Sequence, residues 1–168
     1  MNGIIAAAFW VSSLINPVSP LYDGISQRPA HPEKVVQISN KYFQKNLSGQ
    51  EVGFYSTGSA YYGPLKPMFS ASITDKGGFW IGAGFENDLV INETVSASFT
   101  FMPGVYSHGN DENLGGWLMF RSGIGLKVNY SPDISLSVIL DHRSSGDIWE
   151  YNPGMETIQI KLHRKVNF

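Results

Sequence analysis

The sequence predicts an all-β protein, an eight-stranded antiparallel β-barrel that spans a membrane. Three observations lead to this fold class. From about residue 50 onward, apolar and polar residues alternate in segments separated by turns, without helical periodicity. Only 15% of the 168 residues are charged, against about 25% in soluble domains. The connections between segments alternate between short and long, as they do between the two ends of a membrane barrel.

Composition excludes several other classes. The chain has no cysteine, so it has neither disulfides nor a thiolate nucleophile or metal ligand. A net charge of −2 and a pI near 6.0 make nucleic acid an unsuitable partner. The longest apolar stretch, residues 4–15, is shorter than the roughly 18 residues of a spanning helix. We expect residues 1–20 to be a signal peptide or an N-terminal segment, and residues 21–168 to form one barrel domain.

Eight segments carry the strand pattern. They are residues 35–45, 51–58, 66–74, 78–87, 93–103, 115–130, 133–145 and 154–168. The first of them also fits a short amphipathic helix, but a closed bacterial membrane barrel has an even number of strands and eight is the smallest. The last alternates strictly over much of its length and stops at the aromatic Phe168, as is typical of outer-membrane barrels. Residues 16–32, rich in proline and serine, predict a linker or a plug.

The connections predict an orientation. Ser131-Pro132 is a tight turn between two long segments, whereas residues 104–115 and 145–154 are long and polar. Outer-membrane barrels have short periplasmic turns and longer outer loops. With a periplasmic C-terminus, both long loops lie outside and the tight turn inside, in agreement with their lengths.

Each strand has one apolar and one polar face. In the segment from Asp133, the even positions up to Leu140 are apolar and most odd positions are polar. A soluble lipocalin-like barrel shows the same alternation turned inside out, so periodicity leaves both alternatives open. The low charge and the small polar residues favour a membrane barrel with a crowded polar lumen. Arg121 has lumen-facing parity and is expected to pair with an acid such as Asp141.

Glycines and loop acids carry weaker signals. The Gly-x-Gly pairs at 82–84 and 123–125 lie within strands, where they are expected to admit close packing. His108, Asp111 and Glu112 lie together in a long loop but lack the spacing of metal ligands. We expect them to be solvated, and we assign no metal site and no cofactor.

Three polar residues continue apolar strand faces. His142 and Ser144 follow Leu140 on its face, and Glu156 extends the apolar face of the last segment. Pairing position 142 with position 156 in a hairpin keeps the two faces together, which places the Cβ atoms about 4.5–5.5 Å apart. A serine, a histidine and a carboxylate on one face form the arrangement of nucleophile, base and orienting acid.

Four motifs resemble the PagL-type lipid A 3-O-deacylases, which are eight-stranded outer-membrane barrels. They are F-M-P-G-V-Y-S-H-G at 101–109, L-G-G-W-L-M-F-R-S-G at 114–123, H-R-S-S-G at 142–146 and N-P-G-M-E at 152–156. The resemblance implies that His142, Ser144 and Glu156 form the catalytic triad. It also places Asn152 and Gly154 close to the site, as loop residues that shape it or help to form the oxyanion hole.

One departure from the family pattern affects the oxyanion site. The family usually has asparagine after the nucleophilic serine, whereas this chain has Ser145 followed by Gly146. A backbone N–H or the Ser145 hydroxyl is the expected substitute, so both residues join the site-shaping candidates.

The resemblance implies an ester hydrolase that removes an acyl chain of lipid A, at the 3-position, on the lipid-facing surface of a bacterial outer-membrane barrel. Its partners are lipopolysaccharide and outer-membrane lipid, and a homodimer is left open. Two alternatives are kept. One is a catalytically inactive barrel with a structural or lipopolysaccharide-binding role, suggested by Ser145. The other is a soluble lipocalin-like lipid binder.

Overall fold

The alternating segments pair edge to edge, and the last strand pairs with the first barrel strand, so that the sheet closes on itself. The computed structural model describes residues 27–62 and 65–166. Its strands are β1 (Gln27–Pro29), β2 (Glu33–Phe43), β3 (Asn46–Thr57), β4 (Ala60–Tyr62), β5 (Lys66–Thr74), β6 (Phe79–Val90), β7 (Val95–Ser107), β8 (Leu118–Asn129), β9 (Ile134–Ser144) and β10 (Met155–Lys165). The barrel order is β10-β2-β3-β5-β6-β7-β8-β9, and β1 pairs only with β4. The predicted fold class is confirmed.

The eight predicted strands correspond to the eight barrel strands, and residues 35–45 fall mainly on β2 rather than on a helix. No helix in the described part of the chain is long and apolar enough to cross a membrane. The predicted segment 1–20 lies outside the described residues, as does Phe168. Residues 16–26 of the predicted linker also lie outside them, while 27–29 form β1.

The predicted loop 104–115 was placed too early, because the loop runs from residue 108 to residue 117. Gly104 suggested a turn, but it lies inside β7 and pairs with Gly82 of β6 and Met119 of β8. A Cβ atom at Gly104 would overlap the carbonyl oxygen of Ile81. This glycine therefore allows two strands to approach closely instead of ending one.

The connections differ between the two ends of the barrel. One end, which we call the loop end, carries residues 44–45, 75–78, 108–117 and 145–154. The other, the terminal end, carries residues 58–62, 65, 91–94 and 130–133 together with the described ends of the chain. The two long loops thus lie together and opposite the tight turn, as predicted. In outer-membrane barrels the long loops face the outside.

Apolar side chains cover the outward face, and charged side chains fill the lumen. Leu136, Val138 and Leu140 are about half exposed, whereas the intervening Ser135, Ser137 and Ile139 are buried. A lipocalin-like barrel has its apolar face inside, so this arrangement overturns that alternative.

An ion-pair network holds the lumen side of β8 and β9. Arg121 donates to Asp141 at 2.8 and 2.9 Å and to Glu51 at 3.0 Å, which confirms the predicted pair. Glu51 also accepts a 2.6 Å hydrogen bond from Arg143. Both guanidinium groups also contact the Trp80 ring, with their Cζ atoms 5.6 Å (Arg121) and 5.4 Å (Arg143) from its centre. Because Asp141 and Arg143 flank position 142, the network fixes this part of β9 from inside.

Close strand packing at the Gly-x-Gly pairs is also present. A Cβ atom at Gly84 would overlap the carbonyl oxygen of Phe101, and one at Gly125 would overlap that of Val138. These glycines therefore allow neighbouring strands to approach more closely than any side chain would permit.

Candidate active site

Three strands bring polar side chains together on the outward face at the loop end. His142 of β9 pairs with Ser122 of β8 on one side and with Glu156 of β10 on the other. The predicted 142–156 register is therefore present. His142 Nδ1 lies 3.3 Å from Glu156 Oε1, and the two side chains are 13% and 40% exposed. A carboxylate that accepts from Nδ1–H leaves Nε2 free to act as a base.

Ser144 lies two residues beyond His142 at the end of β9, opposite Phe120 of β8. The residue is 5% exposed. Within the described residues, the imidazole hydrogen-bonds Glu156 and not the Ser144 hydroxyl. The hydrogen bond between the acid, Glu156, and the base, His142, is thus formed. The hydrogen bond between His142 and the predicted nucleophile, Ser144, is not formed among the described residues. Such contacts often tighten only when substrate binds.

Asn152 organises the loop between β9 and β10. Its Oδ1 accepts a 2.9 Å hydrogen bond from the Ser145 N–H, and its Nδ2 donates to Asp147 Oδ1 at 2.8 Å. Gly146 and Asp147 both have positive φ angles, 62° and 64°. The amide of Asn152 therefore holds the turn that follows Ser144. It also occupies the Ser145 N–H, which cannot then serve as a free oxyanion donor.

Gly154 and Ser145 differ in their relation to the imidazole. Gly154 has φ 70°, and a Cβ atom there would lie 2.9 Å from His142 Cε1. The glycine therefore lets the loop pass directly beside the imidazole. The Ser145 side chain is fully buried, and its Oγ has no hydrogen-bond partner among the described residues. Its hydroxyl is thus enclosed, away from the surface on which His142 is partly exposed.

Sequence reasoning missed the contribution of β8. Phe120 lies opposite Ser144 and stacks on Phe101 of β7, with ring centroids 5.9 Å apart and planes at 12°. Ser122 lies directly opposite His142 and is buried. These two residues have the same parity in the motif L-M-F-R-S-G, but only the β8–β9 register shows which residues they face.

Comparisons with known proteins decide the family. The family model described as lipid A 3-O-deacylase (PagL) matches residues 31–165. This chain belongs to that family. The match extends well beyond residues 101–160, on which the sequence resemblance rested. A search of curated proteins found no match.

Solved structures give the same fold at low sequence identity. The outer membrane enzyme PagL has a TM-score of 0.60 and 14% identity, over 79% of this chain and 99% of that one. A de novo designed transmembrane β-barrel gives 0.62 and 12%, over 83% and 98%. Neisserial surface protein A gives 0.55 and 10%, over 84% and 99%. With the family match, these neighbours indicate that this member of the PagL family is a bacterial outer-membrane protein.

The second long loop of this PagL-family barrel packs against the site loop. A Cβ atom at Gly115 would overlap the Tyr151 carbonyl oxygen, and one at Gly116 would overlap the Trp149 indole. Glycine is therefore required where loop 108–117 crosses loop 145–154. The contact supports the site loop from the side of β7 and β8.

The same loop also closes over a buried lysine, so the expectation that Asp111 is solvated was wrong. The Asp111 side chain is fully buried against Lys41 of β2, with which it forms an ion pair. Burial is the largest single influence and by itself raises the pKa of Asp111, but the hydrogen bonds from Lys41 and Thr74 together with the positive charge of Lys41 outweigh it and hold that pKa below its usual value. His108 is exposed, and Glu112 pairs with Lys76 at 3.3 Å. Asp111 is buried because the Lys41 ammonium group in the lumen needs a carboxylate partner.

This barrel contains a second set of serine, histidine and glutamate residues, in the lumen at the terminal end. Ser137 Oγ lies 2.8 Å from His163 Nε2, and His163 Nδ1 lies 2.9 Å from Glu33 Oε2. Glu33 also pairs with Lys66 at 3.2 Å and with Lys127 at 2.9 Å. All five residues are at most 5% exposed. The two sets of residues therefore differ in geometry and in access.

Proposed function

We propose that this protein hydrolyses the ester-linked acyl chain at the 3-position of lipid A, with Ser144, His142 and Glu156 as the catalytic triad. The observation that carries the proposal is the His142–Glu156 pair on the outward face at the loop end, two residues from Ser144. In a family of lipid A 3-O-deacylases, this is where a substrate embedded in the outer leaflet meets the barrel.

The chemistry follows from the three side chains. The Ser144 hydroxyl attacks the ester carbonyl carbon as its proton passes to His142 Nε2, and Glu156 stabilises the resulting imidazolium. The imidazolium then protonates the departing sugar oxygen, so that the sugar leaves as an alcohol and Ser144 stays acylated. Water attacks the acyl-serine as its proton passes to His142 Nε2, and the imidazolium returns a proton to Ser144 Oγ as the fatty acid leaves. The Gly146 N–H is the proposed oxyanion donor, since the Ser145 N–H already bonds Asn152. This chemistry requires no metal and no diffusible cofactor.

The lumen set has shorter hydrogen bonds but does not suit this substrate. Ser137 and His163 are buried among charged side chains, and Glu33 is already neutralised by two lysines. An acylated disaccharide lies in the membrane and cannot enter a lumen packed with side chains. Ser144 is itself only 5% exposed, so access favours the outward set through its other two members, His142 and Glu156, which remain partly exposed on the lipid-facing side.

Mass spectrometry of lipid A from cells that express each variant tests the proposal. Wild type should remove one hydroxyacyl chain. Ser144→Ala and His142→Gln should lower the rate by about 10⁴-fold or more. Glu156→Gln should lower it less, because its carboxylate is partly exposed and lies at 3.3 Å. Ser137→Ala is the matched control in the lumen and should retain wild-type activity.

Other results of the same experiment would assign a different nucleophile, a different site or a different function. Loss of activity in Ser122→Ala with activity retained in Ser144→Ala would move the nucleophile to β8. Loss in Ser137→Ala alone would move the site into the lumen. Unmodified lipid A with correctly inserted wild-type protein would favour the alternative of an inactive barrel with a structural or lipopolysaccharide-binding role.

A further inference from the structure

A cationic cavity lies at the terminal end of the barrel, far from the candidate active site. Its volume is about 990 Å³, and its walls include residues from β2, β9, β10 and the β8–β9 turn. The lining residues that matter here are Lys34, Asp133, Ile134, Leu162, Arg164 and Lys165. Along β10, Arg164 is eight residues from Glu156, which is about 26 Å of extended chain. The cavity therefore belongs to the opposite end of the membrane-spanning surface.

Two cations face each other across a strand pair in this cavity. Lys34 of β2 and Arg164 of β10 are direct partners in the antiparallel register, and both are exposed. Like charges in direct cross-strand positions destabilise a sheet unless an opposite charge lies between them. Lys34 Nζ donates to the Ser56 hydroxyl at 2.9 Å and lies 5.8 Å from the centre of the Phe54 ring, so its contacts among the described residues include no carboxylate.

No described residue supplies the missing negative charge. Neither Lys34, Arg164 nor Lys165 forms an ion pair with a carboxylate of the described residues, and Lys165 Nζ donates instead to the Pro132 carbonyl at 2.6 Å. Asp133 is the single acid among the cavity walls. Three cations and one carboxylate give the lining a net charge of +2, with His163 counted as neutral. The cavity is thus suited to an anion.

The remaining walls are apolar and continue into the lipid-facing surface. Leu162 is 53% exposed and Ile134 is 40% exposed, and Ile134 pairs directly with Arg164. A ligand that fits both the cationic and the apolar walls of the cavity has an anionic head beside Lys34 and Arg164 and a hydrocarbon chain along Leu162. Arginine binds phosphate oxygens through two parallel hydrogen bonds, and a phospholipid joins such a phosphate to hydrocarbon chains that can contact Leu162.

We propose that this cavity binds the headgroup phosphate of an anionic phospholipid in the leaflet opposite the candidate active site. Arg164 and Lys34 hold the phosphate, and Leu162 and Ile134 contact the acyl chains. The bound phosphate removes the repulsion between the two cations and so fixes β10 against β2. The ligand is distinct from the lipid A proposed as substrate, because it occupies the other end of the barrel.

The test is native mass spectrometry of the full-length protein in detergent, with added phosphatidylglycerol or phosphatidylcholine. The wild type should retain phosphatidylglycerol and much less phosphatidylcholine. The double variant Lys34→Gln, Arg164→Gln should lose phosphatidylglycerol by about tenfold or more, since two charged hydrogen-bond donors are removed. Lys76→Gln, an exposed cation at the loop end, is the matched control and should bind as wild type does.

Several outcomes would overturn the proposal. Equal retention of both lipids would show that charge does not select the ligand. Unchanged phosphatidylglycerol binding in the double variant would place the lipid elsewhere. Displacement of the lipid by equimolar inorganic phosphate would indicate a simple anion site without a lipid chain. The readout is binding, so it stands whether or not the protein hydrolyses lipid A.

Discussion

Replacing Gly154 by alanine is expected to slow lipid A hydrolysis by displacing the His142 imidazole rather than by unfolding the barrel. Gly154 has φ 70°, and the added Cβ would lie 2.9 Å from His142 Cε1. Ordinary contacts between carbon atoms are about 3.5–4.0 Å. The imidazole must therefore move by about 0.6 Å or more, or the loop must shift by as much.

The matched control is Gly77→Ala, in the loop between β5 and β6 at the same end of the barrel. Gly77 has φ 79°, so both substitutions impose the left-handed strain of about 1–2 kcal/mol. A Cβ at Gly77 would meet no atom within 4 Å. The two variants therefore share the backbone strain and differ in the contact with the imidazole.

The expected rates follow from that difference. A displacement near 1 Å in a catalytic group costs about 10²-fold, so Gly154→Ala should lower the rate by about 10- to 100-fold. Gly77→Ala should lower it by less than about threefold, because an added Cβ there contacts nothing and leaves the imidazole in place. The assay is the release of hydroxyacyl chains from purified lipopolysaccharide in detergent. Urea unfolding measures the stability of both variants.

One result would contradict the proposed effect of Gly154→Ala on the imidazole. Equal losses of activity in the two variants would assign the effect to backbone strain and not to the imidazole. Modification of His142 by diethylpyrocarbonate, followed by peptide mapping, gives a second readout that does not depend on hydrolysis. The reasoning requires a changed modification rate in Gly154→Ala and an unchanged one in Gly77→Ala.

Three further predictions concern the lumen and the strands. Replacing Glu51 by alanine leaves buried Arg143 without a carboxylate, and should cost about 3–5 kcal/mol of unfolding free energy in urea titrations. Because the pKa of Asp111 is lowered in the fold, its stabilising effect is complete above the unfolded value of about 3.9 and is lost as pH falls through the folded value. The stability difference between wild type and Asp111→Asn should thus be constant from about pH 8 to 5 and shrink below about pH 4. Gly125→Ala places a Cβ against a carbonyl oxygen of β9, and should abolish the heat-modifiable band on gels.

Two of these predictions have a control variant, and the third has a result that would contradict it. Lys76→Ala removes a partly exposed ion pair with Glu112 and should cost less than about 1 kcal/mol; an equal effect of Glu51→Ala would contradict the role given to the lumen network. Gly58→Ala meets no atom closer than 3.6 Å, so its barrel should close normally. A stability difference for Asp111→Asn that shrinks between pH 8 and 5 would contradict the lowered pKa.

Most of the fold could be predicted because the residue types on the two faces of a strand reflect the two environments that these faces contact. Lipid on one face and a polar lumen on the other produce the alternation from Ile134 to Leu140, which the structure confirms. The same parity argument placed Arg121 and Asp141 in the lumen. Prediction was wrong at Gly104 because glycine marks both turns and close strand contacts, and sequence alone does not separate the two. The 27–29 with 60–62 pairing was also missed, since neither segment has a strand's length.

The candidate site could be predicted only within one hairpin. His142 and Glu156 lie on consecutive strands of one hairpin, so facial parity restricts the registers that can bring them together. Phe120 and Ser122 depend on the register between β8 and β9. The lumen set was not predictable, because Glu33 and His163 are 130 residues apart in the chain and meet only through closure of the sheet.

The pairing of β10 with β2 also governs when the candidate site exists. Glu156 pairs with His142 on one side and with Tyr42 of β2 on the other, so it lies on the seam of the cylinder. A chain whose seam is still open presents the edge of β10 to its surroundings, and its Glu156 is held on one side only, by the β9–β10 hairpin. We therefore expect the acid–base pair of the proposed hydrolase to reach its final geometry only when β10 pairs with β2. A barrel that has not yet closed should then leave the lipids around it intact.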